Sequence, residues 1–407
     1  MIKKSDIIDY INSNYSDALD NLHLYEKYIL EEIIDLFNIV SEDKNDHQVN
    51  AEKYFIKEII SEYINNKNIF NIRKNKLYGL MKLKLPEQRS PEWFEMRSNI
   101  LTASSFAAAL GDCHFTSRNQ LIYDKIIQPP YNSNPITEWG VKYEEIATLF
   151  YQLITNTNVK EFGLIPHPDF PIFGASPDGI CDDTGPPEYC SRMLEIKCPP
   201  KRKFTKSVPK HYWMQMQGQL EVCDLDECDF LQVKVEEYDN FTDYKNDVFN
   251  DTKPHNYSYP NVKDYNTTIN GKTSDNLPKG CTISYRKFGD TPDKLSYLYP
   301  KLLLSDDEYL KWIDDHIKLG YNIVETKWWK ITRYELSTVN RDKVWWNDII
   351  EHILEFYNDY MYYKNNVDEL KKLVDIENKN KKKYKKNVIT IEKEVIPEFM
   401  LCEESSD

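Results

Sequence analysis

The sequence predicts an α/β (α+β) fold: a central mixed β-sheet flanked by helices, preceded by a helical region. Three observations carry this. Between residues 159 and 238, short apolar runs of strand length are interleaved with helical periods. Residues 1–85 repeat apolar side chains at helical spacing without a strand signal. Further on, 321–339 reads as strand and 344–363 as a long amphipathic helix. With 407 residues, 41% hydrophobic and 29% charged, the chain suffices for one large domain with additions, or for two domains.

Composition excludes several classes. No apolar run approaches the ~20 residues of a membrane helix. The start, MIKKSDIIDYINSNYSD, is too polar for a secretory signal. An intracellular, non-secreted protein with no membrane partner is expected. The eight cysteines include no C-x-x-C pair, so free thiols in a reducing compartment are expected. A net charge of −14 argues against a polyanion partner, unless acid and base are segregated.

In chain order, Ile7, Ile8 and Ile11, then Leu19, Leu22, Ile29, Ile33 and Leu36, then Phe55, Ile59 and Ile60 mark successive helices. A bundle packed on the main domain, or used in self-association, accounts for them. Ser90-Pro91-Glu92-Trp93 is a helix start: Ser caps, Pro fits the first turn and Glu complements the dipole. A second start at Thr102-Ala103-Ser104 leads through Phe106 to a stop at Gly111. Its free N–H groups, its hydroxyls and Arg97 could hold a phosphate. From these residues alone the plainer reading is favoured: Thr102 a cap, Arg97 a surface residue. The helix through Ile146, Phe150 and Ile154 carries Glu144, a metal-site carboxylate or, more commonly, a solvated residue.

Residues 159–165 read as a strand. The stretch that organises the chain follows, FGASPDGICDDTGPPEYCSRMLEIKCP. Residues 173–175 and 193–198 are expected to be the two strands of one hairpin. Asp178 lies on a Ser-Pro-Asp-Gly turn. Strand period two puts Glu195 and Lys197 on one face and Leu194, Ile196 and Cys198 on the other. Phosphodiester hydrolysis needs charge neutralised at the phosphate and a water made nucleophilic. Mg²⁺ on one or two carboxylates supplies both. Asp178 and Glu195 are the candidate ligands, with the Ile196 carbonyl as a third. Lys197 is the candidate to orient or deprotonate the water. Downstream, Lys201, Arg202, Lys203, Lys206 and Lys210 form a basic arm for a polyanion, or a solvated loop. The next helix puts Gln215 and Gln219 one turn apart, facing a phosphate or a metal-held water. Residues 229–238 alternate as a strand.

Five pieces in order resemble the PD-(D/E)xK nuclease superfamily, and within it the YqaJ / lambda-exonuclease type viral recombinase family. They are Ser90-Pro91-Glu92-Trp93…Arg97 with Leu101-Thr102-Ala103-Ser104; Gly140…Glu144; Gly174-Ala175-Ser176-Pro177-Asp178-Gly179; Leu194-Glu195-Ile196-Lys197-Cys198-Pro199; and Tyr212…Gln215-Met216-Gln217. The resemblance implies a restriction-endonuclease-like core, Mg²⁺ (with Mn²⁺ substituting) on Asp178 and Glu195, and Lys197 as catalytic lysine. It also implies Glu144 as auxiliary acid and Gln215 in the active site. Arg97, Thr102 and Ser104 would hold a 5′-phosphate, reversing the plainer reading above. It further implies 5′→3′ degradation of one strand at duplex DNA ends, leaving single strand for recombination. Self-association as a dimer or trimer follows from it, as does a single-strand annealing protein or helicase as partner. The related CRISPR-associated RecB-like nucleases carry a four-cysteine iron–sulfur cluster. Their tight C-terminal cysteine spacing is absent here, so no cluster is expected. An endonuclease or mixed-polarity nuclease on the same core is the alternative, and an inactive DNA-binding protein a further one.

The rest of the chain divides on composition. Residues 239–280 are rich in Asn, Asp, Tyr and Thr and read as an irregular insertion. Strands resume near 281–288, and Ser305 starts a helix. Residues 376–407 form a charged tail, basic at 378–387 and acidic at the end. The expected organisation is thus a helical region 1–85, a nuclease core 86–238, the insertion, a completing segment 281–375 and the tail. Composition and long additions suggest a large DNA virus, with the protein in host cytoplasm, viral factory or virion.

Overall fold

The computed structural model describes residues 2–41, 44–86, 90–129, 134–201, 204, 207–249, 270–290 and 294–394, the side chains of 381–394 excepted. The N-terminal region is helical: α1 (Lys4–Asn14), a 3-10 segment (Ser16–Leu24), α2 (Glu26–Leu36) and α3 (Asp46–Met81). Ile7, Ile11, Ile29, Ile33, Ile56 and Ile60 close a core of their own. A capping box of Asn45 and Gln48 starts α3, which has 36 residues. Its second half leaves that core. Leu77 and Leu80 instead join the core beneath the main sheet. Arg73 pairs with Glu227 at 2.8 Å, and Lys74 and Tyr78 both reach Asp183 at 2.8 Å.

Helix α4 (Pro91–Asn99) begins as expected, the Ser90 hydroxyl accepting from the Trp93 N–H at 3.1 Å. The helix expected from Thr102 is different. After strand β1 (Leu101–Thr102) comes a 3-10 turn (Ala103–Ser105) and a single turn, α5 (Phe106–Ala109). The Thr102 side chain caps nothing. Its hydroxyl lies 3.1 Å from that of Ser104. Gly111, at φ 78°, ends the segment. Two longer helices follow, α6 (Arg118–Ile127) and α7 (Pro135–Thr155).

The strand read over 159–165 is two pieces in two sheets, β2 (Val159–Lys160) and β3 (Ile165–Pro166). The expected hairpin is also corrected. Strand β4 (Phe173–Ala175) lies between β1 and β3 in a three-stranded sheet. The antiparallel partner of β6 (Met193–Lys197) is instead β5 (Gly179–Cys181). Pro177 separates the two strands and has no N–H for a ladder, so the chain changes sheet at Asp178.

Helix α8 (Lys210–Val222) then crosses over to β7 (Glu227–Glu237), which runs parallel to β6. Next come α9 (Phe241–Asn246), β8 (Lys279–Arg286), β9 (Ser296–Leu298), α10 (Asp306–Lys318), β10 (Asn322–Asn340), α11 (Lys343–Lys364) and α12 (Val367–Glu394). The basic run at 378–387 therefore continues a helix. Of the insertion read at 239–280, α9 and the start of β8 are regular structure, while 250–269 lies outside the described residues, as does the acidic end, 395–407.

The main sheet has the order β2-β5-β6-β7-β10-β8-β9. Helix α7 covers one face, where Tyr143, Ile146 and Phe150 meet Leu194, Ile196, Leu231 and Val233. Helix α8 covers the other, where Met216 and Leu220 meet Met193 and Phe230. This is the expected mixed sheet flanked by helices. Helices α5, α6, α11 and α12 share a further core through Phe106, Ile122, Phe356 and Leu370. Cys181, Cys190, Cys198, Cys223, Cys228 and Cys281 are buried free thiols, and Cys113 is half-buried.

Candidate active site

Strand β6 passes between two helical layers, so its alternation sorts its side chains. Leu194, Ile196 and Cys198 enter the α7 core. Glu195 turns to α8 and is 0% exposed. A carboxylate so buried requires donors. Gln215 Nε2 donates to its Oε1 at 2.7 Å, and Gln219 Nε2 to its Oε2 at 2.8 Å. Both amides come from one face of α8, four residues apart. The expected partner of these amides, a phosphate or metal-held water, is replaced here by Glu195 itself. Lys197 also donates to Glu195 Oε1, and its ammonium lies 5.2 Å from the centre of the Tyr212 ring.

Asp178 reaches the same place from the sheet-changing turn. Its Oδ2 accepts from the Ile196 N–H at 2.6 Å. A strand residue presents its N–H and C=O on one edge, so the Ile196 carbonyl also faces the Asp178 side. Burial, and then the charge of Glu195, push the Asp178 carboxyl well above the usual carboxylate range. Burial works against the Lys197 ammonium. Glu195 and Asp178 outweigh it and hold Lys197 above its ordinary value. Glu144, half-buried on α7, adds negative field at Asp178. Its neighbour Glu145 is pushed up to about 7 by burial, then by Glu161 and Glu144.

These groups fit a divalent cation by charge. Carboxylates outnumber ammonium groups, and the penalty falls on Asp178. Gln219 Oε1, buried beside Glu195, has no donor of its own among the described residues. No group of three or more His, Cys, Asp or Glu among the described residues is arranged as a ligand cage. Mg²⁺ needs only one or two carboxylates, completing its shell with water and phosphate oxygens.

A second cluster lies upstream. The Arg97 guanidinium stands 4.9 Å from the Trp93 ring centre and donates to the Ser104 hydroxyl at 3.3 Å. With Thr102 beside Ser104, the three residues singled out by sequence come together. Burial lowers the pKa of Arg97. Lys125, on α6, was not legible in sequence. Its ammonium donates to the carbonyls of Ile100 at 2.7 Å and Ser98 at 3.5 Å. Burial, then the charge of Arg97, push it down to about 8. Two desolvated cations and two hydroxyls are groups whose charge and donors an anion would complement. Of the basic arm, Lys201 is exposed, while Arg202, Lys203 and Lys206 lie outside the described residues.

Helices cover both faces of a mixed sheet, with Glu195 and Lys197 on β6 and Asp178 on the turn before β5. Residues 92–226 match the YqaJ-like viral recombinase domain. Protein R354 of Acanthamoeba polyphaga mimivirus is 31% identical over 336 residues, which cover 74% of this chain. The chain spans 58% of the length of that relative, which fits an origin in a large DNA virus. Among solved structures, the chain is similar to an alkaline exonuclease from Laribacter hongkongensis (19% identity, 69% of this chain, 97% of that one, TM-score 0.39). It is also similar to the same enzyme in complex with dAMP (21%, 69%, 100%, TM-score 0.38). A phage related exonuclease from Haemophilus somnus is a third (13%, 67%, 96%, TM-score 0.32). Among the described residues no helix is long and apolar enough to cross a membrane.

Proposed function

We propose that the chain is a metal-dependent deoxyribonuclease acting as a 5′→3′ exonuclease on duplex DNA ends. The observation that carries the reading is Glu195, buried and held by Gln215, Gln219 and Lys197, beside an Asp178 whose ionisation is suppressed. Evolution of a stable core alone would replace such a cluster by apolar side chains at little cost. The match of 92–226 to the YqaJ-like viral recombinase domain supports the same reading.

In this reading Asp178, Glu195 and the Ile196 carbonyl would hold Mg²⁺, with Glu144 assisting. Bound there, the ion would supply charge neutralisation at the phosphate and lower the pKa of a water. Gln215 and Gln219 fix the rotamer of Glu195. Lys197, kept protonated by its two carboxylates, orients the attacking water and stabilises negative charge developing on phosphate oxygens. Arg97, Ser104 and Thr102, with Lys125 behind them, hold the 5′-phosphate, and Lys201 to Lys203 receive the strand backbone.

The test is incubation of 5′-phosphorylated, 5′-hydroxyl and circular duplexes with Mg²⁺, Mn²⁺ or EDTA. Loss of the phosphorylated linear strand from its 5′ end, in metal only, is expected. Degradation of circles would replace the exonuclease by an endonuclease. No cleavage in either metal would leave a DNA-binding protein.

A further inference from the structure

We propose that the rings of His114, Phe115, His211 and Tyr212 form a stacking platform that carries unpaired bases of a DNA strand to the cutting centre. The proposal rests on the nuclease reading and adds how the strand is held. The loop between α5 and α6 is fixed at both ends. The Asp112 N–H donates to the Ala107 carbonyl at 2.7 Å, and Ser117 caps α6. Asp112 also pairs with Lys210 at 3.0 Å, which ties the loop to the start of α8.

That anchoring gathers the rings into a cluster, their planes tilted by 40–82° to one another. His114 and Phe115 lie 3.9 Å apart between centroids, and they stand 5.7 and 5.8 Å from His211. His211 continues onto Tyr212 at 4.1 Å. The Lys197 ammonium is 5.2 Å from the Tyr212 centroid and bonds Glu195. Exposure falls through the cluster towards Glu195. Phe115 is 71% exposed, His114 is exposed, His211 and Tyr212 are half-buried, and Glu195 at its foot is fully buried.

The outermost ring, Phe115, stands in water on a loop anchored to α8. Every nucleobase has a π-face, so exposed rings of this kind accept unpaired bases without regard to sequence. The Lys197 and Lys210 charges beside them complement the phosphates of the strand. Bases inside a duplex hide their faces in their own stack. The occupant is therefore an unpaired strand, as at a frayed or overhanging end.

The test uses the full chain and two duplexes with phosphorothioate-blocked 5′ ends. One is blunt, and one has a 5′ overhang carrying 2-aminopurine, whose emission is quenched by stacking. Wild type should quench the probe. Phe115→Ala should lose the quench and bind the overhang about tenfold more weakly, with blunt-end binding little changed. Phe115→Trp should restore both. An unchanged quench in Phe115→Ala, or equal weakening on both duplexes, overturns the platform. If wild type cuts DNA and Phe115→Ala behaves like it, only the platform falls. If wild type neither binds nor cuts DNA, the nuclease reading falls and the platform with it.

Discussion

Lys197 sits between two carboxylates that keep it charged, and that placement makes its removal informative. Lys197→Ala should lower the cleavage rate by about 10²–10³-fold, the usual worth of one charge-stabilising donor, with DNA binding largely retained. Single-turnover cleavage beside a filter-binding titration checks both halves. Arg97→Ala should erase the preference for a 5′-phosphate over a 5′-hydroxyl end, read as the ratio of initial rates. Lys125 adds a pH signature. Its folded pKa, about 8, lies below that of an ordinary lysine. Between those two values the unfolded chain binds more protons, so this residue makes stability rise with pH. Below pH 8 its full penalty is present. Melting curves should therefore show Lys125→Met gaining on wild type at pH 7 relative to pH 10. Glu195 and Lys197 were legible because a strand repeats every two residues. Lys125 was not, because the burial and the Arg97 charge that depress it are set by tertiary packing.

Helix α8 carries both amides of Glu195 on one side and packs on α5 through Gly218. A Cβ at 218 would stand 2.4 and 2.6 Å from two Phe106 ring carbons and 3.2 Å from the Ala103 Cβ. Gly218→Ala should thus destabilise by about 1–3 kcal/mol through overpacking. It should also slow cleavage by moving Gln215 and Gln219 off Glu195; thermal melts and rate measurements test the pair of effects. At this scale the sequence was legible wherever a period or a cap was local. Ser90, Ser305 and the alternation at 193–197 are such cases. It misled where partners are distant. Residues 173–175 and 193–198 both look like strand, but apolarity says nothing about pairing. The break at Pro177 hands β6 to β5 and leaves β4 to β1 and β3. The target of Gln215 and Gln219 was hidden in the same way, since facing inward does not name the group faced.

Across the whole molecule, α3 joins two cores. The bundle core uses residues up to Ile64, and Leu77 and Leu80 belong to the core under the sheet. A chain lacking 1–64 should fold and cut DNA. A chain lacking 1–85 loses those two leucines and the Arg73 and Lys74 pairs as well, and should be insoluble or melt early. Circular dichroism and the cleavage assay distinguish the two truncations. The loop that presents Phe115 has one more use. Among the described cysteines, Cys113 alone is not buried, and burial pushes the Cys190 thiol up to about 11 and those of Cys181 and Cys223 up to about 12. Maleimide reagents seek thiolates near neutral pH. Once Cys402 is changed to Ser, a fluorophore can be written onto position 113 alone, two residues from the outermost ring. The folded protein thus offers its own attachment point for watching a strand arrive in real time.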